Sequence, residues 1–562
     1  MCVYWDGLTV RWTQIGNYII SGGHESVMVQ WQLDTGRKQF LPHLSSPIRN
    51  IIVSPSGSSY VIKLADNSVV LLSARGLREY TTLAGLQAHP KQNSSSVAAV
   101  LHPKQPDHLL IAVPVSQDTC VGAYKAASAP FLQTYDIRAD CHVSRQALTR
   151  TNITTLSISP EGGEITTPDI LHMAISKCGE WLATVDVWRP LLSIDPNEIA
   201  TCGSEADALQ EINLKFWRWN GLSGLWELVN RIDSPHFSRK GPEVVLDLAA
   251  QSHGPGFATI GRDAVLRLWF PITRHHQLLG TWKCGKSIDL GACVGKSDVA
   301  SALEAACLSF SGDGSVLAVC LRSSPLSIVP TQATTVLVDV QAGRICCSRA
   351  GLFSGAPHAV RFVSQWLIIA AERSLSVWDT VDGSVRAVGS SQDEVNISME
   401  EGSPKLLAAS PSASAFAVSN AVSNDRRMIH YHVQVYGLDS LALLYDIPLK
   451  SAPIALLSDS FSGNFVVVDA AANVRRIGRD GKSSKAMNAQ SRDLSIQVSS
   501  GLASLMGDRT FYMDPASALP TKAETGDTVS PRKQMGHVFD GVPSFSLPPA
   551  DVLFKDIVKS LR

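Results

Sequence analysis

The sequence contains no CxxC pair, no metal-ligand spacing of His or Cys, and no HExxH or GxSxG pattern, so the common hydrolytic and zinc chemistries have no starting point. It has no continuous apolar run of about 18 residues. Its first residues, MCVYWDGLTVRW, lack the basic flank and apolar stretch of a secretion signal, which argues against both membrane spanning and export. Charge is balanced: 49 basic against 50 acidic residues leave −1, so no overall field draws the protein to nucleic acid or an anionic membrane, and any RNA contact has to be local. The 11 cysteines are scattered, and the adjacent pair Cys346 and Cys347 reads as strand residues without bridging geometry. A reducing compartment, cytosol or nucleus, fits that usage.

What is present is a chain long enough for two or more globular units, 562 residues at 45% hydrophobic and 18% charged, which argues against wholesale disorder. A pattern recurs in it. An acidic residue in a turn precedes a strand ending in a bulky apolar residue, always six positions on: Glu25 and Trp31, Asp66 and Leu72, Asp263 and Trp269, Glu372 and Trp378. The residues between alternate apolar and polar, as a strand with one buried face requires. A second element, a Ser-Pro or Gly turn followed by a short alternating strand, recurs as VSPSGSSYVIKL at 53–64, ISKCGEWLATV at 175–185, FSGDGSVLAVC at 310–320 and ASPSASAFAV at 409–418.

Together the two elements define units of about 40 residues with four short strands, and on these residues the chain resembles the WD-repeat β-propeller superfamily. The resemblance implies that the turn carboxylate ties its hairpin to a Ser or Thr hydroxyl on the preceding strand and, through a His, to the indole N–H. Ser21, Glu25 and Trp31 take those parts in the first repeat. Nine units are expected, closing near Trp31, Leu72, Tyr135, Trp217, Trp269, Val338, Trp378, Tyr436 and Val474. The fold class is therefore all-β: residues 1–87 hold the last two blades of an incomplete first propeller, 88–480 a seven-bladed ring, and 481–562 a partly disordered linker with a short terminal helix.

Two blades alone expose sheet edges and apolar faces. Three explanations compete: they join a larger ring, they pack on a partner, or the chain is an amino-terminally incomplete copy of a tandem propeller, the reading favoured because Tyr4 and Trp5 sit where an outer strand is already under way. Between Thr184 and Ile212 the text DVWRPLLSIDPNEIATCGSEADALQE reads as an inserted surface loop. From about 478 to 545, Ser, Lys, Asp and Gly dominate, with weak strand signals at LSIQVSS and RTFYM.

Candidate interaction residues are few. His24 in a blade turn reads as a hydrogen-bonding or solvent-facing residue, and the tryptophans as buried rather than as base-stacking platforms. Arg475, Arg476, Arg479 and Lys482, in NVRRIGRDGK, form the densest basic run and are the candidate RNA contact, against a solvated blade edge as the plainer reading. In PADVLFKDIVKSLR, Leu553, Phe554, Ile557, Val558 and Leu561 share one helical face and are candidates for docking another subunit. No catalytic residue, cofactor or metal site is assigned.

The stretch YIISGGHESVMVQWQLDTGRKQFLPHLSSPIRNIIVSPSGSSYVIKLADNSVVLLSARGL, residues 18–77, is more specific than a generic blade. It resembles the nucleolar WD-repeat proteins of the UtpA (t-UTP) subcomplex of the small-subunit processome, the fungal Nan-one or Utp-seventeen type. There, SGGHESVLVxWQLxTGxKQFLPRLxSPI and SPDGSxYxVxLADNSI are distinctive, and this chain departs at scattered positions such as His43 for Arg. The specific match covers roughly 18–87, with looser agreement through the second propeller and at LPPADVLFKDIVKSL. The resemblance implies tandem propellers with a helical carboxy terminus, a missing amino-terminal part here, and no enzymatic activity. It also implies a scaffold in nucleus and nucleolus that meets other UtpA subunits and the 5′ external spacer of pre-rRNA, and U-three snoRNP indirectly. Maturation of 18S rRNA and support of ribosomal DNA transcription follow as its expected roles. A WD-repeat adaptor of a ubiquitin-ligase or chromatin complex is the alternative.

Overall fold

The structure is a computed structural model describing residues 9–485, apart from 14–15, 24–25, 42–43, 45–47, 65–67, 87–95, 115–129, 150–167, 190–209, 239–240, 273–280, 295–302, 324–332, 388–404, 424–428 and 479–482. Among the described residues stand nine four-stranded antiparallel sheets, each a meander of four strands consecutive in the chain. We number them in chain order, and in each the first strand is innermost. One two-stranded hairpin, Phe237–Ser238 with Gly241–Pro242, lies between the fourth and fifth.

The Ser and Gly turns of the sequence close the first hairpin of several sheets in one way. At 54–59, 176–181 and 311–316 the serine hydroxyl accepts the backbone N–H five residues on, at 3.1, 3.1 and 3.0 Å. The residue three after that serine is a glycine with φ of +66°, +70° and +74°, a conformation that a β-carbon disfavours. The strands that follow are apolar on alternate positions or throughout: Phe257–Gly261 is buried along its whole length. A strand covered on both faces reads as a continuous apolar run.

Each sheet buries its faces against its neighbours. Leu110, Leu182 and Trp217 belong to one core between the third and fourth sheets. Phe216 and Phe257 join the fourth to the fifth, Leu268 and Leu308 the fifth to the sixth, and Leu337 and Leu367 the sixth to the seventh. Ile368 and Phe416 then join seventh to eighth, and Val433 and Val467 eighth to ninth. The last core brings Ile454 and Val466 of the ninth sheet against Leu109 and Ile111 of the third, and Val97 N–H donates to Ile454 O at 3.0 Å. The cores therefore run in a circuit that returns to the third sheet, with Leu86 buried in the closing seam. The first and second sheets share their own core, built on Ile20, Met28, Ile51 and Ile62.

Three sequence expectations shift. The second strand of the fourth sheet, Trp181–Trp188, runs three residues into the expected loop, with Asp186 and Val187 buried, and the third, Glu211–Asn220, begins at the loop's last residue. Only 190–209 of that insertion lies outside the described residues. In the ninth sheet Ile477, not Val474, pairs with Phe465 and takes the closing position. Its outer strand is Ser483–Lys485, beyond the expected boundary at 480. LSIQVSS, RTFYM and the terminal segment 549–562 lie outside the described residues.

Candidate functional site: the polar ladders and the ring seam

The fifth sheet carries a complete polar ladder across its upper half. Trp269 Nε1–H donates to Thr259 Oγ1 at 2.9 Å, and Thr259 Oγ1 lies 2.9 Å from His236 Nε2. His236 Nδ1 lies 2.9 Å from Asp263 Oδ1 in the next turn. Thr259 O–H donating to Nε2 and Nδ1–H donating to the carboxylate account for the Trp269, Thr259 and Asp263 contacts, while Arg267 Nη1 also lies 2.5 Å from Nδ1. His236 is fully buried, and burial pushes its pKa below the ordinary imidazole value despite the carboxylate beside it. Burial acts to raise the carboxyl of Asp263, but its hydrogen bond and charge interaction with His236, the Val265 N–H and the Arg267 guanidinium outweigh it and hold it below the usual range. Gly261 is required here: a β-carbon would fall 2.4 Å from the His236 ring.

The ladder follows from register. Trp269 pairs with Phe257, so the residue two further on, Thr259, sits under the indole N–H. The same offset puts Ser21 beneath Trp31, at 3.0 Å, and Thr184 beneath Trp217, at 2.9 Å. In the seventh sheet Trp378 pairs with Leu367, and the equivalent position is Ile369, which has no hydroxyl. Trp378 Nε1 is accordingly buried without a hydrogen-bond partner among the described residues.

Burial also separates the three tryptophans. Trp269 and Trp378 are 4% and 3% exposed and face the preceding sheet. Trp31 is only half-buried, with Lys38 Nζ 4.2 Å from its ring centre. It lies on the face of the first sheet that also carries Val10, Trp12 and Phe40, opposite the core shared with the second sheet. Trp12 and Phe40 are each 61% exposed there.

Glu372 holds the turn of the seventh sheet differently from Asp263. Its Oε2 accepts Ala356 N–H at 3.2 Å and Arg322 Nη1–H at 3.3 Å, and Arg322 also meets Glu304. The Ala356 N–H is the main cause of a lowered carboxyl pKa. The fourth sheet builds a ladder the sequence did not announce. Lys215 Nζ lies 2.9 Å from Asp186 Oδ1, both nearly inaccessible, and donates to Leu148 O at 3.0 Å, while Asn213 donates to the other Asp186 oxygen.

The basic run has structural duties. Arg476 reaches Asp107 of the third sheet at 2.6 Å, across the closing seam, and Arg475 donates to Pro448 O at 3.3 Å. Arg476 thus contributes to closing the seam, and Arg475 to holding the eighth sheet's outer strand. Arg479, Lys482, His24, Glu25, Asp66, Leu553, Phe554, Ile557, Val558 and Leu561 lie outside the described residues. Among the described residues no group of three or more His, Cys, Asp or Glu could hold a metal ion, and no helix is long and apolar enough to cross a membrane. Sequence reasoning missed His236, which lies 27 residues before its carboxylate.

Four-stranded meanders packed face to face in a circuit, with repeated Trp–hydroxyl pairs and one complete Trp–Thr–His–Asp ladder, define a WD-type β-propeller protein. No family model matches the chain. Its similarity is to U3 small nucleolar RNA-associated protein 17 of Schizosaccharomyces pombe, 26% identical over 470 residues, covering 82% of this chain and 53% of that protein. WD repeat-containing protein 75 of Xenopus laevis is 26% identical over 54% of this chain and 31% of its own length. NET1-associated nuclear protein 1 of Saccharomyces cerevisiae is 23% identical over 47% and 32%. The chain is thus similar to these three proteins, and it spans about half the length, or less, of the curated relatives it matches.

Proposed function

We propose that this chain is a non-catalytic scaffold subunit in ribosome biogenesis, acting in the nucleolus within the small-subunit processome. The observation that carries the reading is the similarity along 82% of the chain to a protein named for its association with U3 small nucleolar RNA. The name NET1-associated nuclear protein 1 supports the nuclear setting. A propeller without a catalytic constellation suits a part that holds others in place. On this reading the seven-bladed ring runs from about residue 88 to Lys485, and the sheets before it are two blades of another. The apolar face of 549–562 docks a neighbouring subunit, and the partners are UtpA subunits and the 5′ external spacer of pre-rRNA. Support of ribosomal DNA transcription belongs to the same proposal.

The test is purification of the tagged chain from nucleolar extract. Co-purification of pre-18S RNA with UtpA subunits is the expected result. Recovery of ubiquitin-ligase or chromatin components without precursor RNA would overturn it.

A further inference from the structure

Two clefts open at the end of the ring where the first and second strands of each sheet join. One, of about 220 Å³, lies at the mouth of the ring among the turns of the third, fourth, fifth and ninth sheets. The other, of about 380 Å³, runs outward between the third and fourth sheets. His102 lines both, so the two clefts adjoin at its ring, and we treat the pair as one groove.

Its charge departs from that of the neutral chain. Lys177 lines the inner cleft, and Lys104 and Arg218 the outer. The acidic residues do not cancel them. Asp459 is 3% exposed and turned inward, where it accepts the Phe461 N–H at 2.9 Å and the Ser462 hydroxyl. Glu180 meets Lys104 only at 3.9 Å, with both side chains more than half exposed, a pairing an incoming anion displaces at little cost.

Aromatic surface stands at both ends of the groove. Phe461 is 69% exposed at the tip of a turn fixed by Asp459 N–H to Asn464 O and Gly463 N–H to Asp459 O. Such an aromatic gains nothing for the fold by standing in water, and the rigid turn pre-orders it for a partner. Trp219, 36% exposed, closes the outer end, held edge-on to Trp226 at 5.2 Å. Between them His102 fits against Gly179, where a β-carbon would lie 2.9 Å from its ring.

We infer that this groove binds single-stranded RNA, with bases stacking on Phe461 and Trp219 and phosphates meeting Lys177, Lys104 and Arg218. Cations alone would serve an acidic peptide. The exposed aromatic surface at each end favours nucleobases, and clefts of this size take splayed bases and not a duplex. The inference rests on the ribosome-biogenesis reading and moves the RNA contact away from Arg475 and Arg476.

The test uses the full chain and a labelled single-stranded oligouridine, read by fluorescence anisotropy over a salt series. Phe461→Ala is expected to weaken binding about tenfold, and Lys177→Ala and Lys104→Ala each to reduce the salt slope by about 0.7. Melting temperatures should stay unchanged, because these side chains are exposed. Wild-type affinity in Phe461→Ala and both lysine variants, or absence of binding by the wild type, overturns the inference. So does competition by polyglutamate equal to that of unlabelled oligouridine, which would mark an acidic-peptide site. Groove variants that bind like wild type while pre-18S RNA still co-purifies sink the groove alone. Oligouridine binding that depends on Phe461, with no precursor co-purified, sinks the proposed function and leaves the groove standing.

Discussion

Arg476 and Asp107 meet at 2.6 Å across the seam where the ninth sheet returns to the third. Both side chains are partly exposed, so the pair is worth about 1 kcal/mol or less. Arg476→Ala and Asp107→Ala should each lower the melting temperature slightly. Their double-mutant cycle should show coupling that fades in high salt. Additive effects of the two changes would remove this contact from the forces closing the ring.

His236→Ala is expected to destabilise the fold by about 1 to 3 kcal/mol, because it strands the buried Thr259 hydroxyl proton and takes one partner from Asp263, which keeps Val265 N–H and Arg267. The pH dependence has a definite sign. The folded pKa of His236 is lowered, so below about pH 6.5 the unfolded chain takes up a proton that the folded chain refuses, and stability falls as pH falls. His102, His172 and His358 act in the same direction. Asp263, lowered in the fold, adds a further loss at more acidic pH, as the medium falls through its folded pKa. Thermal melts from pH 5 to 8 should show a shallower slope in the His236 variant than in the wild type.

Lys215→Ala should cost about 3 to 5 kcal/mol, because it leaves the Asp186 carboxylate buried without its cation. Lys215→Met with Asp186→Leu should recover most of that loss, since the pair has little net value over apolar side chains of similar volume. Chemical denaturation of the three variants checks it; a double variant as weak as Lys215→Ala would contradict the account.

The missing hydroxyl under Trp378 yields a comparison of two sites. Ile369→Thr should match Ile369→Val within about 0.5 kcal/mol, because the new oxygen accepts the unsatisfied indole N–H. At Val319, which is two residues past the partner of Val338 and has no indole above it, Val319→Thr should cost about 1 to 3 kcal/mol. Equal costs for the added hydroxyl at the two sites would count against the register argument.

The open faces of the first two sheets predict association. Val10, Trp12 and Phe40 occupy one side, and Ile52 and Leu83, each more than half exposed, the other. Sedimentation of the chain should depend on concentration, and Trp12→Glu with Phe40→Glu should suppress that dependence without lowering the melting temperature.

Much of the fold was legible because burial writes itself into local spacing. The six-residue gap found Asp263 with Trp269 and Glu372 with Trp378, since both ends lie in one hairpin. It misjudged the ninth sheet, where Val474–Ile477 reads VRRI and gives no clear alternation. His236 was invisible because its partner is set by the path of the chain between sheets, not by a local period. Asp186 opens the segment that reads as an inserted loop and Lys215 carries no signal of its own, and only the pairing of their strands, with Leu148 O beside them, makes them a buried pair. The groove residues were equally hidden: Phe461 and His102 lie far apart in the chain and become neighbours only when the ring closes.

That closure carries a schedule. Asp107 and Arg476 are separated by 369 residues. At about 5 to 20 residues per second, a ribosome needs roughly 20 to 75 s to travel from one to the other. Throughout that interval the apolar face of the third sheet that awaits Ile454 and Val466 has only Leu86 to cover it. The nascent chain is thus exposed to misassembly at one known face, and the last sheet to be made is the one that ends the exposure.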